Sequence, residues 1–236
     1  EGDAVFAETS CSRTGRGRLP EFEKEIKAIL MDTTEKYFHE KAFLGSYKDF
    51  VPDYYRYGYQ MVSYARNKYG ENFWPEAVNY TGRNSWMFFP FSYYLKKETG
   101  LTRKQLHNES MNFIKTHWNE SFKKRHIEKY DCLDKQHKVY TSYSYPHIVN
   151  DSSIIALKSG LNIIPEFIQI QADGSETELF TPGSLNSGRI SVHNNKILWD
   201  EIRPDVRWSN RNYSVLKEYN FETKKIRTLA GNTRYY

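Results

Sequence analysis

The chain has 236 residues and a formal net charge of +5 at pH 7, with 39% hydrophobic and 16% aromatic residues. The aromatic side chains supply enough apolar area for one large domain or two small ones, because such side chains bury large surfaces. The longest basic block is Lys123-Lys124-Arg125-His126, and the other cations are scattered among acidic residues. A nucleic-acid-binding face needs clustered cations, so we expect no nucleic-acid partner. No run approaches the roughly 20 apolar residues that span a bilayer, so no membrane span is predicted.

The first part of the chain, residues 1–130, is predicted to be an all-α domain. Leu19-Pro20 precedes apolar residues at helical spacing, with Pro at a tolerated first-turn position. A second helix is expected over about 53–69, where Gly70 provides a C-terminal stop. Thr102 and Gln105 have the spacing of a capping box, which predicts the start of a further helix.

An almost wholly apolar stretch lies between the last two of these helices. Residues 86–95 read Trp-Met-Phe-Phe-Pro-Phe-Ser-Tyr-Tyr-Leu. We expect this stretch to form the buried centre of the helical domain rather than a platform for a ligand.

After His137 the hydrophobic period changes from helical to two, which indicates strands. Asp173-Gly174 predicts a hairpin turn between the third and fourth of them. Eight short segments are predicted to be strands: 139–143, 153–157, 167–170, 177–180, 189–192, 196–199, 213–219 and 225–229.

The last four predicted strands repeat the first four. Ser153-Ile154 matches Lys196-Ile197 at an offset of 43 residues, and Ile170 matches Tyr219 at an offset of 49, with an insertion around 203–210. Four strands per repeat at this period are typical of β-propeller blades, although short alternating strands also build sandwiches. The segments 151–156 and 167–174 resemble TolB-like propellers. The predicted fold class is therefore α+β, with two antiparallel propeller-like blades over residues 131–236.

The first residues carry a motif with chemical meaning. Glu1-Gly2-Asp3-Ala4 resembles the second metal-binding helix of gluzincin peptidases, in which a Glu-Gly-x-Ala glutamate completes a zinc site begun by an upstream H-E-x-x-H helix. The resemblance implies that Glu1 is a zinc ligand in a longer parent protein and that this chain is an internal fragment. A solvated surface charge is the alternative for Glu1.

A second motif supports the same resemblance. The segment 51–62 resembles the Tyr-x-x-Gly helix of gluzincin aminopeptidases, and Tyr55 stands three residues before Gly58. The resemblance implies that the Tyr55 hydroxyl donates a hydrogen bond to the oxyanion formed during peptide hydrolysis. The alternative is a tyrosine that only packs in its helix.

The sequence departs from the family in one respect, because it contains no H-E-x-x-H. His39-Glu40 is followed by Phe43 where the second histidine should stand, and four-residue spacing is what places both ligands on one helix face. We therefore expect this chain alone to bind no zinc and to be inactive. Cys11 and Cys132 have no metal-ligand spacing and are either paired or free. No ligand spacing is found among the remaining histidines: His107, His117, His126, His137, His147 and His193.

Two function classes follow. In the first, the parent is a secreted or periplasmic zinc peptidase that acts on a peptide or protein and carries a propeller. In the second, the parent is a non-catalytic protein that binds a peptide or polymer. Two blades leave one apolar face uncovered, so self-association through that face is expected unless further chain covers it.

Overall fold

The computed structural model describes residues 1–31, 37–126, 133, 137–208 and 210–233. The chain divides into two compact units, a helical unit (Glu1–Lys129) and a strand unit (Tyr130–Tyr236). Helices come first and antiparallel strands follow, which confirms the predicted α+β class. No helix in the described part of the chain is long and apolar enough to cross a bilayer.

The helical unit is built around one central helix. This helix, Tyr54–Tyr69, packs against five of the others and buries the side chains of Tyr57, Met61, Val62 and Ala65. A short 3-10 helix covers Arg16–Arg18. The α-helices of the described residues are α1 (Gly2–Cys11), α2 (Pro20–Met31), α3 (His39–Leu44), α4 (Tyr54–Tyr69), α5 (Phe73–Arg83), α6 (Pro90–Thr99) and α7 (Arg103–Lys123).

The predicted helix boundaries at α4 and α7 are confirmed, and their hydrogen bonds show why. The N–H of Gln105 donates to Thr102 Oγ1 (3.3 Å), and the N–H of Thr102 donates to Gln105 Oε1 (2.8 Å). This capping box satisfies two backbone donors at a helix start that would otherwise have no partner. Gly70 ends α4 at φ 103°, a conformation that residues with a side chain rarely adopt.

The prediction that the stretch 86–95 is buried is wrong for its first part. Trp86, Phe88 and Phe89 are 81%, 97% and 72% exposed, and they lie in the turn between α5 and α6. Such connections run over the surface because their backbone groups need water. The core at this point is filled by Tyr94 and Leu95, which follow in α6. Apolar composition alone did not show which residues of the stretch would face inward.

The strand unit consists of two four-stranded antiparallel sheets, each with its strands in chain order. All eight predicted strands are present, and most extend further than predicted. Gly174 (φ 75°) lies in the predicted turn, where Asp173 Oδ1 accepts a hydrogen bond from the N–H of Ser175 (2.8 Å). The strands are β1 (Thr141–Asn150), β2 (Ser153–Gly160), β3 (Glu166–Gln171), β4 (Glu176–Phe180), β5 (Leu185–His193), β6 (Lys196–Pro204), β7 (Asn212–Asn220) and β8 (Lys225–Thr233).

One hydrophobic cluster joins the two sheets. Trp199 of β6 is fully buried, and its ring lies 4.7 Å from that of Phe180 and 6.0 Å from that of Phe167, both in the first sheet. Tyr219 of β7 contacts Phe180 at 4.5 Å. The side chains that alternate inward on both sheets therefore form a shared core, as the period of two predicts.

Candidate functional site

The start of α1 packs directly on the backbone of α4. A Cβ added to Gly2 would lie 2.1 Å from the carbonyl carbon of Gly58, far inside van der Waals contact. A Cβ on Gly58 would lie 3.1 Å from the Cα of Gly2. Glycine is required at Gly2 because no side chain fits between the two helices. The two motifs identified in the sequence thus touch each other in the fold.

Two further contacts fix α1 against α4. Arg66 Nη2 lies 2.9 Å from Asp3 Oδ1, and the same guanidinium lies 4.4 Å from the ring centroid of Phe6. Val5 of α1 is fully buried. The position of the residue that precedes α1, Glu1, is therefore set by a charged pair, a cation–π contact and a glycine contact.

A cavity of about 670 Å³ opens beside this contact, within the helical unit. Its wall contains both polar and apolar side chains. The polar ones are Glu1, Asp3, His39, Glu40, Tyr54 and Arg103, and the apolar ones are Phe43, Leu44, Met61, Val62, Trp74 and Phe91. A volume between about 300 and 1,000 Å³ with a few polar groups on apolar walls is typical of ligand sites.

Glu1 and Tyr54 both line this cavity. The Glu1 carboxylate is the main cause of a raised pKa at Tyr54, and the neighbouring Tyr55 adds to it. A nearby negative charge disfavours the ionised phenolate, so the Tyr54 hydroxyl keeps its proton and remains a hydrogen-bond donor well into the alkaline range. Glu1 makes no side-chain hydrogen bond to cap α1.

Tyr55 lies beside the cavity rather than in its wall. The Tyr54 and Tyr55 rings stack with centroids 4.8 Å apart, and the Arg16 guanidinium lies 5.5 Å from the centroid of Tyr55. Tyr54, not Tyr55, lines the cavity with Glu1. The spacing to Gly58 singled out Tyr55 and missed Tyr54. The only sequence signal for Tyr54 is that the two tyrosines are adjacent.

Helix α3 supplies a second set of polar groups to the cavity. His39 and Phe43 lie on one face of this helix with ring centroids 4.7 Å apart, so Phe43 occupies the place of a second histidine. His39 also meets His107 edge to face at 5.6 Å. Burial lowers the pKa of both imidazoles, which keeps them neutral at pH 7. His107 Nε2 is buried and has no hydrogen-bond partner among the described residues.

Among the residues that the structure describes, no three His, Cys, Asp or Glu side chains are grouped closely enough to hold a metal ion. A catalytic zinc uses three protein ligands, and the described residues alone do not supply such a set. Cys11 is exposed at the end of α1, and Cys132 lies outside the described residues.

No protein-family model, curated protein or solved structure matches this chain. The geometry around Glu1 and Gly58 is therefore the feature of this chain that points to a functional site.

Proposed function

We propose that this chain is the distal part of a gluzincin-type zinc peptidase, in which Glu1 is one zinc ligand. The observation that carries the proposal is the contact between Gly2 and Gly58. The two motifs resemble separate parts of the gluzincin site and lie more than 50 residues apart in the sequence. Their packing against each other, with Glu1 and Tyr54 at one cavity, is the arrangement that a shared site requires.

Each group of this chain has a distinct task in such a site. A bound zinc ion would polarise the substrate carbonyl and activate a water molecule. Glu1 would supply a carboxylate oxygen to the ion. The Tyr54 hydroxyl at the cavity, or the hydroxyl of the neighbouring Tyr55, would donate a hydrogen bond to the oxyanion that develops on the carbonyl. The apolar wall binds the peptide and excludes water from the reacting groups.

The proposal is tested on the complete protein that contains this chain, where the resemblance places an H-E-x-x-H helix before Glu1. We expect one zinc ion per chain and measurable peptide hydrolysis. Glu1→Gln should weaken zinc binding at least tenfold, because it removes a charged ligand. Tyr55→Phe should keep zinc and lower kcat by about 10²–10³, and Tyr54→Phe shows whether its neighbour shares the role. Zinc is read by metal analysis and turnover with a fluorogenic peptide.

Glu71→Gln is the matched control for Glu1→Gln, because Glu71 is exposed between α4 and α5, away from the cavity. It should leave zinc and turnover unchanged. Full zinc occupancy in the Glu1→Gln protein would contradict the proposed ligand. Unchanged turnover in the Tyr55→Phe protein would return Tyr55 to a packing role.

A second candidate function is a non-catalytic protein that binds a peptide or polymer. The observation that favours it is the exposure of Trp86, Phe88 and Phe89 beside the helical core. The same experiment distinguishes the two candidates, because a binding protein would show neither stoichiometric zinc nor turnover.

We also propose that the strand unit represents two blades of a TolB-like propeller. Two four-stranded meanders in chain order and a shared hydrophobic core support this assignment. A closed propeller needs about 4–8 blades, so further blades or a second copy would cover the outer face of the pair. The resemblance further implies a secreted or periplasmic protein.

A further inference from the structure

A second cavity, of about 750 Å³, adjoins the first within the helical unit. His39, Glu40 and Arg103 line both cavities. We call the two together the groove. One end of the groove carries Glu1 and Tyr54, and the other is formed by the turn before α6 and the start of α7.

The far end of the groove is aromatic. Phe88, Phe89 and Tyr93 line it, and each exposes more than half of its side chain to solvent. Adjacent exposed aromatic residues that form a patch mark a binding surface, whereas single exposed apolar residues are normal. This patch comes from the stretch whose composition had predicted a buried core.

The same end of the groove is positively charged. Arg103, Lys104 and Lys96 line it, against the single carboxylate of Glu40. Neither Arg103 nor Lys104 forms an ion pair with any residue that the structure describes. Both lie in the first turn of α7, where cations oppose the helix dipole, so helix stability does not account for them.

We propose that the groove binds an acidic peptide, with a substrate carboxylate on Arg103 and Lys104 and a neighbouring aromatic side chain on Phe88 and Phe89. The planar guanidinium of Arg103 can bind a carboxylate through two parallel hydrogen bonds. Aromatic side chains favour stacked or edge-to-face contacts with Phe88 and Phe89. This inference rests on the proposed function, because it names the class of peptide that would reach the Glu1 end of the groove.

The test measures binding of fluorescein-labelled octapeptides to the 236-residue chain by fluorescence anisotropy. One peptide contains Phe-Glu-Phe-Glu and the other contains Phe-Gln-Phe-Gln at the same positions. We expect the acidic peptide to bind at least tenfold more tightly, and its affinity to fall as salt screens the exposed charges. Arg103→Glu with Lys104→Glu should remove the difference. Phe88→Ala should weaken both peptides several-fold.

Lys123→Glu with Lys124→Glu is the matched control, because it makes the same change in net charge about 30 Å away at the other end of α7. It should leave the preference for the acidic peptide in place. Arg103→Gln with Lys104→Gln gives a milder variant, and helical circular dichroism checks that each protein is folded. Equal binding of the two peptides, or an undiminished preference in the Arg103 and Lys104 variants, would overturn the proposal.

This test measures peptide binding and requires neither bound zinc nor hydrolysis. If the complete protein binds zinc and hydrolyses peptides but the chain shows no preference for the acidic peptide, only the proposed peptide class is wrong. If the chain prefers the acidic peptide but the complete protein binds no zinc, the groove proposal holds and the peptidase proposal is wrong.

Discussion

The two units of this chain differ in whether their buried polar groups have hydrogen-bond partners. In the strand unit, Glu201 is buried and paired, with Lys217 Nζ at 2.6 Å and the Trp199 indole N–H donating at 2.7 Å. In the helical unit, His107 Nε2 and Tyr57 Oη are buried and have no hydrogen-bond partner among the described residues, and the described residues of the strand unit contain no such atom. Buried polar atoms without a hydrogen-bond partner destabilise a fold, and such unfavourable features are expected mainly at functional sites. This contrast is consistent with the proposed site in the helical unit.

The exposed aromatic residues extend this contrast. Phe88 and Phe89 lie side by side at the groove, while exposed apolar residues of the strand unit, such as Ile148, Ile164 and Val206, are far apart in the sequence and line none of the described pockets. A helical unit optimised only for stability would bury such residues, because each buried aromatic side chain contributes about 1.5–3 kcal/mol. Their exposure beside Arg103 and Lys104 is what the proposed binding surface requires.

The largest expected effect concerns the contact between α1 and α4. Gly2→Ala should destabilise the helical unit by about 3 kcal/mol, because the added methyl group meets backbone atoms that cannot move independently. Gly82→Ala is the matched control in α5, where a Cβ meets open space, and it should stabilise the unit by about 0.5 kcal/mol. Urea unfolding followed at 222 nm measures both. A Gly2→Ala protein as stable as the control would show that α1 does not pack on α4.

A smaller effect separates the two units by pH. Burial lowers the pKa of His39 and His107 below the ordinary 6.5, so the stability they contribute is present above pH 6.5 and is lost as the pH falls towards their folded pKa values. In the strand unit, burial raises the pKa of Glu201, but hydrogen bonds from Lys217, Trp199 and the Gly183 N–H outweigh it and hold the pKa below the ordinary 4.5. That stability is lost only below about pH 4.5.

Between pH 6.5 and 4.5 we therefore expect the helical unit to weaken while the strand unit does not. Hydrogen exchange measured by mass spectrometry can follow the two units separately over this range. His39 is half-buried, and His39→Gln should reduce the loss of stability of the helical unit as the pH falls from 6.5 to 4.5. Equal loss of stability in both units from pH 6.5 downward would contradict the proposed difference between them.

The strand unit could be predicted from the sequence almost completely. Alternation with a period of two is a local signal, and segments such as 196–199 and Asp173-Gly174 carry it within a few residues. The boundaries were less accurate: β6 runs to Pro204, into the region expected to be an insertion. Pairing with β7 extends the strand beyond the part where its own pattern is clear.

The site could be predicted only in part. The sequence motifs singled out Glu1 and Tyr55, whereas the cavity wall contains Glu1 together with Tyr54, His39 and Arg103 but not Tyr55. Which of two adjacent tyrosines faces the cavity depends on the rotation of α4 about its axis, since consecutive residues of a helix point about 100° apart. That rotation is set by packing against other helices and by the contact of α4 with Gly2, which no local pattern contains.

The most direct test of the account is the pKa of Tyr54 in the intact 236-residue chain, followed by NMR of ¹³C-labelled tyrosine. Glu1 and Tyr54 line one cavity, and the charge of Glu1 is the largest cause of the raised pKa of Tyr54. Glu1→Gln should therefore lower the pKa of Tyr54 towards the ordinary value of 10.0. Glu40→Gln, in the same cavity wall, should leave it unchanged. A Tyr54 pKa that does not respond to Glu1→Gln would contradict the proposed site.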